Sequence, residues 1–87
     1  MVNNIDRFLD KNSKVKIWPS KKDKKIQVLK YIAAKFEDDR IYNEKEINSI
    51  INDWHTFNDY FLIRRELIDH KLFSRTTNGS AYQKAKT

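Results

Sequence analysis

Lys14, Lys16, Lys21, Lys22, Lys24 and Lys25 are the residues whose type and spacing point to a chemistry, and that chemistry is phosphate binding. Between Lys11 and Lys30 the chain holds eight lysines against the single acid Asp23, a net +7 in a chain of net +6, so the remainder carries −1. A basic stretch neutralises phosphates and releases their counterions, the electrostatic footprint of a nucleic-acid binder. The competing reading is a solvated lysine-rich face. No catalytic constellation stands beside it. His55 and His70 have no cysteine and no spaced carboxylate partner with which to build a metal site. There is no phosphate loop, dinucleotide fingerprint or nucleophile elbow. The sequence therefore predicts no enzyme, no metal and no cofactor.

The elements that must position these lysines follow from periodicity and capping. Asn4 to Leu9 reads as a short helical turn, Asp10 to Ser13 as a turn, and Lys14 to Trp18 as a short strand or extended arm with Val15 and Ile17 on one face. Trp18 has two readings, stacking on a base or partner, or wedging against the first helix. Pro19 and Ser20 start the first long helix, with Ser20 as N-cap, Asp23 completing a capping-box variant, and Ile26, Leu29, Ile32, Ala33 and Phe36 as core stripe. Its first turns carry Lys21, Lys22, Lys24 and Lys25 at the positive end of the macrodipole, where each is unfavourable by roughly 0.3–1 kcal/mol at low salt. A local rule broken without visible compensation points to function, and phosphate binding at a helix N-terminus supplies one.

Ile41 and Tyr42 add a short strand. Asn43 caps the next helix with Glu46 at the third helical position, and Ile47, Ile50, Ile51 and Trp54 form its stripe. His55 to Asn58 is a turn in which His55 is structural and Phe57 plugs the angle between helices. Asp59 caps a helix to His70 whose apolar side is Tyr60, Ile63 and Leu67, flanked by Phe61 and Ile68. Leu72 to Thr76, the Asn78-Gly79 pair and Ser80 to Gln83 then predict a tight β-hairpin, because such a turn needs positive φ.

Three main helices ending in a small antiparallel hairpin are the layout of a winged helix-turn-helix domain, an α+β class. The 87 residues suit a single domain, with a helical turn and basic arm over 1–19, a core over 20–83 and a tail over 84–87. Absence of cysteine, of a signal-peptide pattern and of any long apolar run predicts a soluble cytoplasmic protein with no membrane contact.

Ile63-Arg64-Arg65-Glu66-Leu67, continued by Leu72 to Arg75, resembles the recognition helix and first wing strand of many bacterial winged-helix regulators. In those families paired arginines reach phosphates or bases. A broader likeness takes in Arg7 to Asp10, Trp18 to Lys22, Val28-Leu29 to Phe36, Tyr42 to Glu46, Trp54-His55, Arg64 to Leu67, Leu72 to Arg75 and the hairpin up to Tyr82. Together these resemble the bacterial domain-of-unknown-function family 2087, which occurs alone and at the C-terminal end of some ArsR-type transcriptional regulators. The resemblance implies a winged-helix-like fold and a place in transcriptional regulation, and no established activity. Ser13 and Lys71 stand where that pattern has glycine.

On a helical projection Leu62, Arg65, Glu66 and Asp69 lie opposite the apolar stripe, one cation against two acids and a leucine. A helix that reads the major groove is richer in Arg, Asn, Gln, Ser or Thr. Arg64 projects into the apolar arc, where it can pair with a buried or a rim acid. The expected nucleic-acid contacts are therefore Lys14, Lys16, Lys21, Lys22, Lys24 and Lys25, with Arg64, Arg65 and Arg75 assisting. DNA is the expected partner, with RNA left open. The alternative is a protein-interaction or homodimerisation module on the same scaffold, with Phe61, Leu62 and Trp18 at its interface.

Overall fold

Residues 5–76 and 81–85 are described by the computed structural model. A 3-10 turn, Asp6–Phe8, precedes α1 (Lys22–Ala33), β1 (Ile41–Asn43), α2 (Glu44–Asp53), α3 (Tyr60–Asp69), β2 (Phe73–Arg75) and β3 (Ala81–Lys84). The strands form one antiparallel sheet in the order β1-β3-β2. Tyr82 on the central strand registers with Tyr42 on one side and Arg75 on the other. The result is a small α+β domain with a winged-helix arrangement. The Thr76 N–H donates to the Ala81 carbonyl at 2.9 Å and closes the β2–β3 hairpin. Its expected Asn78-Gly79 turn lies outside the described residues.

Helices and sheet meet in an aromatic cluster. Phe36, just past α1, packs edge-on against Tyr42 at 5.1 Å and against Phe73 at 4.8 Å between ring centroids. The buried Tyr42 keeps its hydroxyl paired by accepting the Glu37 N–H at 2.8 Å. Val28, Leu29, Ile32, Ile47, Ile51, Ile63 and Leu67 fill the space between the helices.

Local signals set α2 and α3. The Asn43 Oδ1 accepts the Glu46 N–H at 2.8 Å while Glu46 Oε1 accepts the Asn43 N–H at 2.9 Å, the capping box expected from the sequence. Asp59 Oδ1 accepts the Leu62 N–H at 3.1 Å and starts α3, also as expected. His55 is buried between the two helices. Its Nε2 accepts the Asp59 N–H at 2.9 Å, so the ring proton sits on Nδ1 and donates to the Ile51 carbonyl at 2.7 Å. One neutral imidazole thus ties the end of α2 to the start of α3, with Phe57 edge-on at 4.7 Å. The end of α3 is a Schellman motif: Leu72 N–H donates to Leu67 and Lys71 N–H to Ile68, both at 2.9 Å, with Lys71 at φ 62°.

Four expectations need correction. Ser20 does not cap α1; the N-cap is Lys21 in extended conformation, with no side-chain cap bond. Val28 is buried where Ile26 was expected, while Leu29, Ile32, Ala33 and Phe36 are buried as the stripe predicts. Lys14 to Trp18 follows the arm reading rather than the strand reading: only Val15 forms β-bridges, with Leu9 on one side and His55 on the other, and Ile17, expected on the same face as Val15, is 51 % exposed. Tyr60 and Phe61 are exposed rather than core, since the sheet and α2 cover only the Ile63–Leu67 side of α3.

Candidate nucleic-acid interface

The arm is aimed by a turn that begins at Asp10. Its Oδ1 accepts the N–H groups of Asn12 at 2.8 Å and Lys14 at 3.0 Å, while its carbonyl accepts the Ser13 N–H at 3.0 Å. The Lys14 amide first, with the Asn12 amide and the charges of Lys14 and Lys16, holds the Asp10 carboxyl below its ordinary value against an opposing effect of burial second only to the Lys14 bond. Ser13 takes φ 65° and reverses the chain.

Past the turn, Val15 is clamped: its N–H donates to Trp54 at 2.8 Å and its carbonyl accepts the Thr56 N–H at 2.9 Å. The Tyr31 hydroxyl donates to the Ser13 carbonyl at 2.6 Å, and Lys25 Nζ stands 6.0 Å from the Trp18 ring. The arm therefore runs back along α1 from Tyr31 toward Lys25, and Trp18 packs partly buried against the core. This is the wedged reading of the tryptophan. The arm thus carries Lys14 and Lys16 along the same helix whose start bears Lys21, Lys22, Lys24 and Lys25.

None of these six lysines belongs to an ion pair among the described residues. Lys16, Lys21 and Lys22 are exposed and Lys14, Lys24 and Lys25 partly so. The first amides of α1 have no side-chain cap, leaving their partial positive charge beside the lysines. Nearby Lys35 is spent otherwise, its Nζ 4.1 Å from the Trp54 ring centroid and 4.4 Å from that of Tyr31.

The three arginines lie away from this strip, on α3 and β2, and differ from one another. Arg64 is only 12 % exposed; its Nη1 donates to Asn48 Oδ1 at 2.7 Å and pairs with Glu44 at 3.0 Å. Of the buried and rim acids that the helical projection left open, the partner is the rim acid Glu44, and the guanidinium is a part of the fold. Arg65 is 72 % exposed, with Asp69 at 3.7 Å. Arg75 is exposed on β2. Sequence reasoning missed that Arg64, Arg65 and Arg75 share the rim of one groove with Phe61, Ile68 and Asp69. The available signal was the spacing of Phe61, Arg65, Ile68 and Asp69 on one helical stripe.

The histidines supply no metal centre. His55 has both ring nitrogens engaged and His70 lies 3.6 Å from Glu66, and among the described residues no group of three ligating side chains comes together. No helix among them is long and apolar enough to cross a membrane. No curated protein and no solved structure matches the chain. The model of one family, described as uncharacterized protein conserved in bacteria, does match, over residues 14–84 and so from the basic arm to the last strand. The chain belongs to that family, DUF2087.

Proposed function

We propose that the protein is a non-enzymatic nucleic-acid-binding module that serves transcriptional regulation on a winged-helix scaffold, as the ArsR-linked members of its family resemblance imply. The observation that carries this reading is the basic stretch of Lys14, Lys16, Lys21, Lys22, Lys24 and Lys25, which forms no ion pair among the described residues and runs into uncapped helix amides. Such a strip grips phosphates whatever the base sequence. Arg65 and Arg75 add contacts from the α3 and wing side, whereas Arg64 stays with Asn48 and Glu44. The α3 face, with Glu66 and Asp69 beside Arg65, supplies little base readout.

Anisotropy titrations of a labelled mixed-sequence DNA duplex, and of an RNA hairpin, at about 50 and about 200 mM salt test the proposal. If each of the six lysines meets one phosphate, log affinity falls against log salt with a slope near −5 on duplex DNA, at about −0.9 per contact. Affinity that ignores salt, or no binding at either salt, would overturn it. The RNA arm decides which nucleic acid is preferred.

A further inference from the structure

The exposed side of α3 and the neighbouring strand β2 enclose a groove of about 290 Å³, lined by Phe61, Arg64, Arg65, Ile68, Asp69 and Arg75. Phe61 is 57 % exposed, a large apolar side chain left in water on a helix whose other face is fully packed. Its ring is backed by the Arg64 guanidinium, 5.2 Å from the centroid, which also lies 5.9 Å from Tyr82 and is fixed by Asn48 and Glu44. One wall is thereby preorganised. Across the groove Arg75 has no ion pair among the described residues, and Arg65 holds Asp69 only at 3.7 Å.

From this arrangement we infer that the groove docks a short protein segment in which one large apolar side chain is flanked by carboxylates. The volume, at the lower end of small-molecule sites of about 300–1,000 Å³, admits a side chain rather than a cofactor. The apolar residue lies against Phe61 and Ile68, and its flanking acids meet Arg65 and Arg75 in charge-assisted hydrogen bonds. Phe61 and Ile68 offer a phosphate backbone nothing to bury, whereas an apolar side chain with spaced carboxylates covers them and sets its acids at Arg65 and Arg75. A second copy of the chain would bring arginines against arginines on a molecule already at +6. The acidic partner is what the charges favour, and its site is separate from the lysine strip.

The test uses the full chain, isotope-labelled for NMR, and a synthetic heptapeptide with a central tryptophan flanked by three aspartates on each side. Matched peptides carry alanine for the tryptophan, or lysines for the aspartates, and a ten-residue oligothymidylate serves as the competing anion. The acidic tryptophan peptide is expected to shift the amides of Phe61, Ile68 and Arg75, and to bind at least about fivefold more tightly than either matched peptide. Phe61→Ala and Arg75→Glu, both at exposed positions, are expected to weaken it by at least about fivefold, whereas the variant with Lys21, Lys22, Lys24 and Lys25 changed to alanine leaves those shifts in place. Shifts confined to the lysine strip, equal binding of the alanine peptide, stronger occupation of the groove by the oligonucleotide, or no binding at all would each overturn the inference. The duplex titration reads the lysines through its salt slope, so a peptide that fails to bind leaves that proposal standing, and a duplex that fails to bind leaves this one.

Discussion

The start of α1 and the junction of α2 with α3 use their charges in opposite ways. At the junction the charges hold structure. Glu46 closes a capping box, Asp59 caps α3, and Arg64 joins Glu44 to Asn48. At the start of α1 four lysines crowd a helix N-terminus that has no side-chain cap and no acid in an ion pair among the described residues. The first arrangement lowers the free energy of the fold; the second raises it by the macrodipole interaction. Charge held against local stability is available to a phosphate, and charge already satisfied inside the fold is not. The sign of a residue therefore says less about binding here than what it already touches.

Substitution at the two places should separate stability from binding, and this is the largest contrast expected. Arg64→Ala leaves Asn48 Oδ1 without its donor at a part-buried site and removes the stack behind Phe61 and Tyr82. A loss of about 2 kcal/mol in unfolding free energy is expected from urea melts, with duplex affinity unchanged at temperatures where the variant is folded. Replacing Lys21, Lys22, Lys24 and Lys25 by alanine should do the reverse. Stability stays within about 1 kcal/mol of the parent, because relief at the helix start offsets the loss of Lys25 beside Trp18. Duplex affinity at about 50 mM salt drops by about a hundredfold or more, and the salt slope shrinks by about 3.6. Equal effects of the two substitutions on binding would erase the contrast.

The same division explains what could be read before the structure. The Asn43–Glu46 box, the Asp59 cap and the Ile63–Leu67 stripe are local, each formed by residues within four positions, and all three are found as their spacing predicts. The arm is not local. Val15 takes its partners from Trp54 and Thr56, and Lys16 from Phe8, so alternation within Lys14 to Trp18 could not reveal where that segment turns. The α1 start is not legible from Ser20, because the N-cap is Lys21, whose side chain makes no cap bond. Arg64 was legible in part, since its position in the apolar arc required an acid, but Glu44 and Asn48 lie twenty and sixteen positions away. The lysines were legible as a charge, and their freedom from ion pairs only as geometry.

Backbone strain gives a sharper, smaller test of the α2–α3 half. Lys71 occupies the left-handed position of the Schellman motif that ends α3, with both characteristic hydrogen bonds formed at 2.9 Å. A Cβ is disfavoured there by about 1 kcal/mol, and glycine removes the clash. Lys71→Gly is expected to raise unfolding free energy by about 1 kcal/mol, read as a higher urea midpoint at unchanged slope. Asn58, at φ 56° before the Asp59 cap, should gain less from glycine because asparagine tolerates that region. A destabilised Lys71→Gly protein would mean that the lysine side chain contributes more than its backbone strain costs.

The smallest effect expected belongs to the basic half, at Asp10. Its carboxylate is the acid that holds the arm turn, accepting the Lys14 and Asn12 amides, and these bonds with the nearby lysine charges keep its folded pKa below the ordinary 3.8. A depressed acid stabilises the fold above its unfolded pKa, and that contribution is lost as pH falls through the folded value. Asp10→Asn keeps an oxygen acceptor for the two amides but removes the charge. The substituted protein should therefore melt slightly below the parent near neutral pH, and the two melting curves should converge as acid carries the parent carboxyl through its lowered pKa. Thermal midpoints of the pair compared from about pH 6 to about pH 2 measure this directly. A gap that persists unchanged at the acid end would place the stabilisation in the hydrogen-bond geometry of the turn, and take the charge of Asp10 out of the account of how the lysine arm is held.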